Sequence, residues 1–585
     1  MIIAVTNLNL FAAIKLLTKN SGYTVLYYER CIPDFLYHLL EKRHHIRECS
    51  KRNNPEYLKN VENEKETFHL SSNIAGHDDL ASFMEEISDI FCIKKSHIKS
   101  TMIKHFVKLI RDDITLMGLV KNKYKANEKA EYWVKNYDIF TRLSNLNDNF
   151  IKVSQLRLFD IAYACYISIW PIHIFLFFVN GIFKKRKKQN IKIVFQQSYK
   201  KRFGHNPEFE AFFRYFKTRN DVAYHCFKKS DGIYQAVESS GKPAFTTRDL
   251  RLPLSEGLLL GSLLFRLVLL FPKYNPPQKT TFWRILLCIF REYAVTKSIL
   301  LEFSPKYFIR IRQELHENHP VTTGVCELLE CSHIGYEHGP PVYFVADYAL
   351  TDFHYLGVMG KSSMTDIYEN CKSDIKWSVL GPITADICYD MPVPRRDFKT
   401  ITLIADYYLL PWGIFPYESY FNEVFFPLID FMKNIKNVKL VYRIKAVKKE
   451  GKAAYVKNLC KRHNIKCDIE YSASGKDISG FSSYTLRKSD LVVVRGTSTI
   501  AFESLSLGKK VIVFCNNLMK HPLESFAPKL AVRSGEEFNK TISWLWGVPY
   551  PEYIKSIEHI IRQTCKKANG KMVKEFFEDF VGIDK

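Results

Sequence analysis

Short apolar runs separated by longer amphipathic stretches dominate the second half of the chain. TITLIADYY, VKLVYRIKA and KCDIEYS each have the length and apolar content of a buried strand, and helical periodicity fills the gaps between them. The segment Val492–Phe514, VVVRGTSTIAFESLSLGKKVIVF, adds a strand, a small-residue turn, a short helix and another strand. Strands spaced by helices predict a parallel sheet with helices on both faces. We therefore predict an α/β unit over residues 396–550, followed by C-terminal helices over 551–585.

The first half of the chain mixes the same pattern with long polar stretches. Strand, helix and strand patterns occur at Met1–Val5, Leu10–Leu17 and Tyr23–Glu29. Residues 31–190 are rich in Lys, Asn, Glu and His and show few strand signals, which predicts a helical insertion. Strand and helix patterns then return and continue to the proline-bearing linker MPVPRR. We predict one N-terminal α/β domain over residues 1–395, with its first strands in the same sheet as the later ones.

One long apolar segment lies at the end of the predicted insertion. Ile161–Phe183 contains 23 residues without Asp, Glu, Lys or Arg, and the cluster KKRKK follows at Lys184–Lys188. This length and hydropathy are typical of a membrane segment with a cytoplasmic basic flank. Pro171 and His173 favour a bent or in-plane helix. We predict that residues 161–183 associate with a membrane, in its plane or as a full span; a buried core helix is the remaining alternative.

Residues 254–303 repeat this character in two further segments. GLLLGSLLFRLVLLFPKY is apolar but interrupted by Arg266, and in TFWRILLCIFREYAVTKSILLEF the residues Arg284, Arg291 and Lys297 lie opposite a broad apolar face. Apolar helices with a basic polar face suit an anionic membrane surface. Amphipathic helices packed on a protein core show the same pattern, so both interpretations stay open.

The charge balance narrows the range of partners. The chain has 85 Lys and Arg residues against 61 Asp and Glu residues, for a formal net charge of +24. Such an excess attracts nucleic acid, anionic lipid headgroups or phosphorylated substrates. We find no nucleic-acid recognition module, so no nucleic-acid partner is expected. The 14 cysteines show no zinc-type spacing, and the first residues lack a signal-peptide pattern, which favours a reducing, cytosol-facing location without a structural metal.

The turn after VVV is the best candidate for a binding site. Ligands of open α/β sheets sit beyond the carboxyl ends of the strands, where this turn lies. A glycine lets the backbone approach a ligand closely, and hydroxyls beside helix N–H groups form a cradle for anions. An acid one turn into the helix suits ribose hydroxyls, and basic residues at strand ends suit phosphate. An ordinary capped helix would look similar. The predicted contacts are Gly496, Thr497, Ser498, Thr499, Glu503, Arg443, Lys445 and Arg495.

These residues resemble the donor-nucleotide motif of GT-B glycosyltransferases, in the group that builds bacterial surface polysaccharides. That group includes capsule Kdo transferases, polysialyltransferase-like proteins and CDP-glycerol glycerophosphotransferases. Its motif is a hydrophobic strand, a Ser/Thr turn, a helix with a Glu, and Leu-Gly-Lys-Pro-Val. The chain has Thr497–Thr499, Phe502–Ser504 and Leu507–Val511, with Lys510 in place of the proline.

Two further segments carry the resemblance, and one departs from it. SHIGYEHG resembles a family segment ending in Gln-His-Gly, with Glu337 in place of the Gln and His338 kept. The Gly381-Pro382 pair before Asp386 resembles a closing signature of the same domain. Where the family often has a basic residue followed by His-Pro, the chain has Arg443-Ile444-Lys445-Ala446.

The resemblance implies two Rossmann-like domains facing across a cleft. The N-terminal domain would bind the acceptor and the C-terminal domain the nucleotide-sugar donor. It also implies transfer of a sugar from a CMP-Kdo-like or UDP-sugar donor to a surface glycan or an anionic, lipid-linked acceptor. An inverting transfer needs a base for the acceptor hydroxyl, and Glu337, His338 and Asp352 are the candidates. No cofactor or metal is expected.

The implied location is the cytoplasmic face of the bacterial inner membrane, on an anionic membrane surface. Three alternatives stay open. A CDP-glycerol-type polyol-phosphate transferase and a sugar-nucleotide epimerase would keep the fold and change the chemistry. A non-catalytic membrane scaffold would keep the fold and lose the donor site.

Overall fold

The structure is a computed structural model of the 585-residue chain. It describes residues 2–583 except for a set of segments and single positions. These are 49–60, 124–129, 135–149, 153–189, 197–206, 274–278, 312–317, 338–350, 367–374, 394–397, 405–420, 445–449, 472–481, 516–520 and residues 9, 20, 31, 77, 227, 231 and 497.

The first part of the described chain forms a five-stranded parallel sheet of its own. Its strand order is β3-β2-β1-β4-β5, with β1 in the centre. The strands are β1 (Ile2–Leu8), β2 (Thr24–Arg30), β3 (His45–Glu48), β4 (Ala130–Val134) and β5 (Phe150–Lys152). The helices are α1 (Leu10–Leu17), α2 (Asp34–Glu41), α3 (Val61–Gly76), α4 (Asp78–Phe91) and α5 (Lys95–Lys123).

This first sheet corrects two predictions. The opening strands were expected in the same sheet as the strands after residue 190, but both edges of β1 are occupied by β2 and β4. Residues 31–190 were expected to be a helical insertion, yet they supply β3, β4 and β5 as well as helices. Short strands amid polar sequence carry a weak hydrophobic signal, so the sequence pattern of this region favours helices.

The middle of the chain forms a seven-stranded parallel sheet in the order β12-β11-β10-β9-β6-β7-β8. Its strands are β6 (Ile193–Gln196), β7 (Val222–Cys226), β8 (Ala244–Thr246), β9 (Tyr307–Ile311), β10 (Ser332–Tyr336), β11 (Tyr355–Val358) and β12 (Lys376–Val379). Its helices are α6 (Pro207–Phe216), α7 (Gly232–Ser239), α8 (Leu254–Lys273), α9 (Lys279–Phe303), α10 (His319–Leu328), α11 (Lys361–Asp366) and α12 (Ile383–Ile387), with a 3₁₀ turn at Thr247–Asp249.

The last part forms a six-stranded parallel sheet in the order β15-β14-β13-β16-β17-β18. Its strands are β13 (Lys399–Ile404), β14 (Val438–Ile444), β15 (Lys466–Tyr471), β16 (Leu491–Arg495), β17 (Lys510–Phe514) and β18 (Ala531–Val532). Its helices are α13 (Phe426–Lys433) after a π turn at Phe421–Phe425, α14 (Glu450–Arg462), α15 (Ser482–Arg487), α16 (Ile500–Ser506), α17 (Gly535–Gly547) and α18 (Tyr550–Thr564), with a 3₁₀ turn at Pro522–Ser525.

The predicted α/β fold class with Rossmann-like parallel sheets is confirmed. Numbered along its own segment, the last sheet has the order 3-2-1-4-5-6, which is the dinucleotide-binding order. The middle sheet follows the same scheme with one more strand, and the first sheet follows it with one fewer. The described chain therefore holds three Rossmann-ordered sheets where two were predicted.

One hydrophobic core joins the first and middle sheets. It contains Ile2 and Leu26 from the first sheet and Val194 and Phe308 from the middle one, with helices α3, α4, α5, α8 and α9 between them. The first strands and the strands after residue 190 therefore lie in one packed body, through packing and not through strand pairing.

The end of the chain crosses back from the last sheet to the middle one. After α18 the chain forms α19 (Met572–Glu575) and a π turn (Phe576–Val581). Phe576 and Phe577 are buried in the core of the middle sheet, beside Phe212 of α6. The carboxylate of Asp386 in α12 accepts hydrogen bonds from the backbone N–H groups of three residues at this crossing. These are Asn569 at 3.0 Å, Gly570 at 2.7 Å and Met572 at 2.8 Å.

The structure bears on only part of the membrane prediction. Residues 161–183 lie outside the described residues. Within the part of the chain that the structure describes, no helix is both long and apolar enough to cross a bilayer. Helices α8 and α9 both contribute side chains to the core shared by the first and middle sheets.

Two buried histidines predict that acid destabilises the fold. Burial lowers the pKa of His225 and of His521 from 6.5 to about 3. Both rings stay neutral in the folded protein and gain a proton on unfolding below pH 6.5. Their contribution to the free energy of unfolding is therefore complete above pH 6.5 and is lost as the pH falls. We expect each to remove on the order of 2 kcal/mol from the free energy of unfolding between about pH 7 and pH 5. Denaturant titrations across this range measure the loss.

His521→Gln should make the free energy of unfolding depend less steeply on pH. The variant lacks one of the two histidines, so about one proton fewer is taken up on unfolding. His559→Gln serves as the control, since His559 is exposed. A free energy of unfolding that stays flat between about pH 7 and pH 5 would contradict the assignment of neutral buried rings.

Candidate functional site

The last sheet has a topological switch point between its first and fourth strands. β13 and β16 are neighbours, with Ile404 beside Val494, although two strands separate them in sequence. The connections leaving such a pair run to opposite sides, and the crevice at their carboxyl ends is where open α/β sheets bind ligands. The carboxyl end of β16 is Arg495, so the predicted turn begins at this crevice.

The turn itself is tight and leads directly into α16. Gly496 has φ +75°, a left-handed conformation that favours glycine, and its N–H donates to the carbonyl of Phe514 at 2.9 Å. Ser498 is buried, and its Oγ accepts the N–H of Ile500 at 3.3 Å. Thr499 is half-buried and forms the N-cap position of α16. Thr497 lies outside the described residues.

Arg495 places a buried positive charge at the crevice. Its side chain is only 3% exposed, and its Nη2 donates to Oε2 of Glu423 at 2.8 Å. Glu423 lies in the π turn that precedes α13, and its side chain is 42% exposed. The ion pair holds the guanidinium at the strand end, which is the position predicted for a phosphate contact.

Arg443 has a different environment from the one predicted. It lies on β14, where its Nη1 donates to Oγ1 of Thr485 at 2.5 Å and to Oε2 of Glu470 at 3.3 Å. The side chain is 2% exposed, because α15 covers this strand end. This geometry gives Arg443 the role of supporting α15 and not that of a direct phosphate contact. Lys445 lies outside the described residues.

Glu503 also lies deeper than the ribose-binding prediction requires. Its Oε2 accepts a hydrogen bond from Oγ of Ser483 at 2.5 Å, which ties α16 to α15. Burial, and then the charge of Glu503, raise the pKa of the Cys388 thiol to about 12. Since Cys388 follows α12, the carboxylate of Glu503 lies beside the contact between the middle and last sheets.

Helix α15 connects this network to the middle sheet. The guanidinium of Arg487 donates to the carbonyls of Cys388, at 2.6 Å, and Met391. The carbonyl of Arg487 in turn accepts a hydrogen bond from Lys509 at 2.8 Å. Helix α15, which contacts α16 through Ser483 and Glu503, is therefore also bonded to the middle sheet and to Lys509.

His521 is a site-edge residue that the sequence did not single out. It follows β17, and its ring stacks on Phe502 of α16 with centroids 5.6 Å apart. Its Nδ1 accepts the N–H of Leu523 at 3.2 Å, which leaves the proton on Nε2. Nε2 is buried and has no hydrogen-bond partner within the described ranges of the chain. The ring thus brings a buried N–H donor against α16.

Glu337 lies at the carboxyl edge of the middle sheet. It follows β10 directly, and its Oε2 accepts the N–H of Met359, which follows β11, at 2.6 Å. Glu337 is fully buried. The carboxylate therefore links the carboxyl ends of two adjacent strands, β10 and β11. His338 lies outside the described residues.

Asp352 lies at the opposite edge of the same sheet. It precedes β11, and its Oδ2 is 2.5 Å from Nδ1 of His97 on α5. Glu327 of α10 lies 3.3 Å from Nε2 of the same imidazole. Burial lowers the pKa of His97, but the hydrogen bond and charge of Asp352 raise it to a net value above 6.5. Asp352 therefore joins the first and middle sheets at an amino-terminal edge, away from the ligand-binding edge.

Besides His521, four residues of the site were not predicted. Glu423, Glu470, Ser483 and Thr485 pair with Arg495, Arg443 and Glu503. Glu470 lies beside Arg443 on β15, the strand next to β14, so parallel pairing was a usable signal for it. The other three depend on how helices fold over the sheet, which no local pattern encodes.

No protein-family model matches the chain, and no curated protein matches it. Among solved structures, a glycosyltransferase from Rickettsia africae ESF-5 aligns at 12% identity over 68% of this chain and 99% of its own, with a TM-score of 0.39. MnaA from S. aureus with UDP aligns at 10% identity over 68% and 98%, with a TM-score of 0.41.

The wall teichoic acid polymerase TagF, in a structure with CDPG, aligns at 11% identity over 74% of this chain and 98% of its own, with a TM-score of 0.39. Because all three TM-scores are below 0.5, we base the functional proposal on the geometry of the site.

Proposed function

We propose that this protein is a glycosyltransferase that moves a sugar from a nucleotide-activated donor to a growing surface glycan or a lipid-linked acceptor. The observation that carries the proposal is the turn Gly496–Thr499 at the switch point of a 3-2-1-4-5-6 parallel sheet. The middle sheet, which follows the same strand order with one more strand, is fixed against this last sheet and carries Glu337 at its own carboxyl edge.

The donor is proposed to bind through its nucleotide phosphates at the carboxyl edge of the last sheet. Gly496 has no side chain to block a close approach of phosphate. Arg495, predicted as a phosphate contact, is buried and paired with Glu423, so we assign it the role of holding the strand end beneath the turn, as Arg443 holds α15. The CMP-Kdo-like or UDP-sugar identity of the donor rests on the sequence resemblance. The expectation of no metal and no cofactor stays a prediction.

The acceptor hydroxyl is proposed to lose its proton to His338. Glu337 is fully buried and bonded to the backbone of Met359, so we assign it the role of holding the segment that bears His338. An imidazole has a pKa near neutrality, which suits a general base. Asp352, at the amino-terminal edge, has no place in this step.

The location proposed from the sequence is the cytoplasmic face of the bacterial inner membrane. The net charge of +24 supports an anionic surface as a partner. A lipid-linked acceptor would be presented to the protein at that surface.

We expect Ser498→Ala and Glu503→Ala each to weaken donor binding by about 1–3 kcal/mol, or roughly 5- to 150-fold. Ser498 caps the turn, and Glu503 fixes α16 to α15. Titration calorimetry with CMP, UDP, GDP and CDP-activated donors, including CDP-glycerol, measures the affinity and identifies the nucleotide. Ser543→Ala is the matched control, because Ser543 is exposed on α17 of the same unit. Unchanged affinity in both site variants, with the fold intact, would remove the donor-site assignment.

We expect His338→Ala to lower the turnover rate by about 10²-fold or more, as for loss of a general base. Asp352→Asn is the comparison, because Asp352 is the other candidate and lies at the amino-terminal edge of the middle sheet. Asp352→Asn should lower the free energy of unfolding but leave turnover of the folded enzyme within a few-fold. Single-turnover assays of the two folded variants measure the contrast. A larger loss of turnover in Asp352→Asn than in His338→Ala would reverse the assignment.

A further inference from the structure

Helix α8 carries apolar side chains on both of its faces. On the inner face Leu260, Leu263, Leu267 and Leu270 are at most 6% exposed and pack in the core shared by the first and middle sheets. A helix at the surface of a globular protein normally has a polar outer face. The outer face of α8 is apolar instead.

The outer apolar side chains are between 42% and 66% exposed. Five of them recur along the helix at spacings close to whole turns, and Leu259 lies beside these five, so the six form one apolar stripe on the side away from the core. Single exposed leucines need no explanation, but a continuous stripe of this kind marks an interaction surface. The stripe consists of Leu254, Leu258, Leu259, Phe265, Val268 and Leu269.

The charges of α8 are arranged to favour an anionic partner. Glu256 is the only acid on the helix, and its carboxylate lies 3.0 Å from Nζ of Lys297 on α9. Arg266 is exposed beside the stripe and makes no ion pair with any residue in the described ranges. The outer face thus presents one guanidinium and no uncompensated carboxylate.

We propose that the outer face of α8 docks the protein onto an anionic lipid bilayer, with the helix axis parallel to the membrane plane. The inner face is packed against protein along the length of the helix, so lipid can reach only the outer side. Arg266 would extend to headgroup phosphates while the leucines enter the acyl boundary. The proposal gives the membrane part of the proposed function a specific surface, and it does not depend on sugar transfer.

A bilayer fits this surface better than a protein partner does. A stable protein interface takes about 20–30 residues a side, whereas the stripe has six side chains on one helix. Burying Arg266 against protein would also require a carboxylate from the partner to offset its desolvation. Headgroup phosphates supply the negative charge, and the guanidinium of Arg266 stays partly hydrated among them.

Vesicle flotation of the full-length protein tests the proposal without any sugar nucleotide. The probes are phosphatidylcholine vesicles with and without about one quarter phosphatidylglycerol, in about 0.15 M and about 1 M salt. The wild type should float with the anionic vesicles, and 1 M salt should weaken binding without abolishing it, because apolar burial persists. Leu258→Gln/Phe265→Gln/Leu269→Gln should lower the bound fraction about tenfold or more. Arg266→Ala should lower it about fivefold.

The matched control is Leu10→Gln/Ile14→Gln/Phe35→Gln, which changes three equally exposed apolar side chains on α1 and α2 and should float as the wild type does. Thermal melts establish that each variant is folded. As a second measurement, Phe265→Trp should gain fluorescence that brominated lipids quench.

Three results would overturn the proposal. In the first, the α8 triple variant floats as well as the wild type. In the second, the α1/α2 control loses binding equally. In the third, the wild type without lipid sediments as a dimer that the α8 triple variant dissociates, which would make this face a contact between copies of the chain.

Discussion

The carboxylate of Asp386 fixes the arrangement on which the site depends. It accepts three backbone hydrogen bonds from the segment 569–572, which brings the end of the chain back from the last sheet to the middle one. Burial raises the pKa of Asp386 above 3.8, although these three bonds favour its charged form. A second constraint lies nearby, where Gly360 packs so closely on the backbone of Thr564 that a Cβ atom would lie 2.3 Å from its carbonyl carbon. Together they hold the carboxyl edge of β11 against the end of α18.

The ionic groups at the carboxyl edge of the last sheet are compensated within the protein. Arg495 pairs with Glu423, Arg443 pairs with Glu470, and Glu503 accepts a hydrogen bond from Ser483. A buried charge without a partner is strongly destabilising, so these pairs let the strand ends remain polar in a dry environment. The network holds the turn Gly496–Thr499 in place before any ligand binds, and such preorganisation is what electrostatic stabilisation of a leaving phosphate requires.

The sequence predicted the last sheet well, because its strands are buried on both faces and appear as short apolar runs. The burial of every residue of β16 is an example. The separate first sheet could not be predicted, because an apolar run such as β1 fits the centre of either sheet. The strands that pair with it, β2 and β4, determine which sheet it belongs to. Asp352 was grouped with Glu337 because it follows Glu337 in sequence. It lies at the amino-terminal edge of the middle sheet because β11 begins only after it, at Tyr355. Arg443 and Glu503 were located correctly on their elements, while their burial depends on how α15 folds over the strand ends.

Hydrogen–deuterium exchange of the full-length protein, with and without saturating nucleotide, tests the central claim most directly. We predict that bound nucleotide slows the exchange of backbone amides in peptides covering 491–506, at the carboxyl edge of the last sheet. Peptides covering Asp352 and the amino-terminal edge of the middle sheet should exchange as in the free protein. Protection confined to that amino-terminal edge, or binding that leaves 491–506 unprotected, would contradict the central claim.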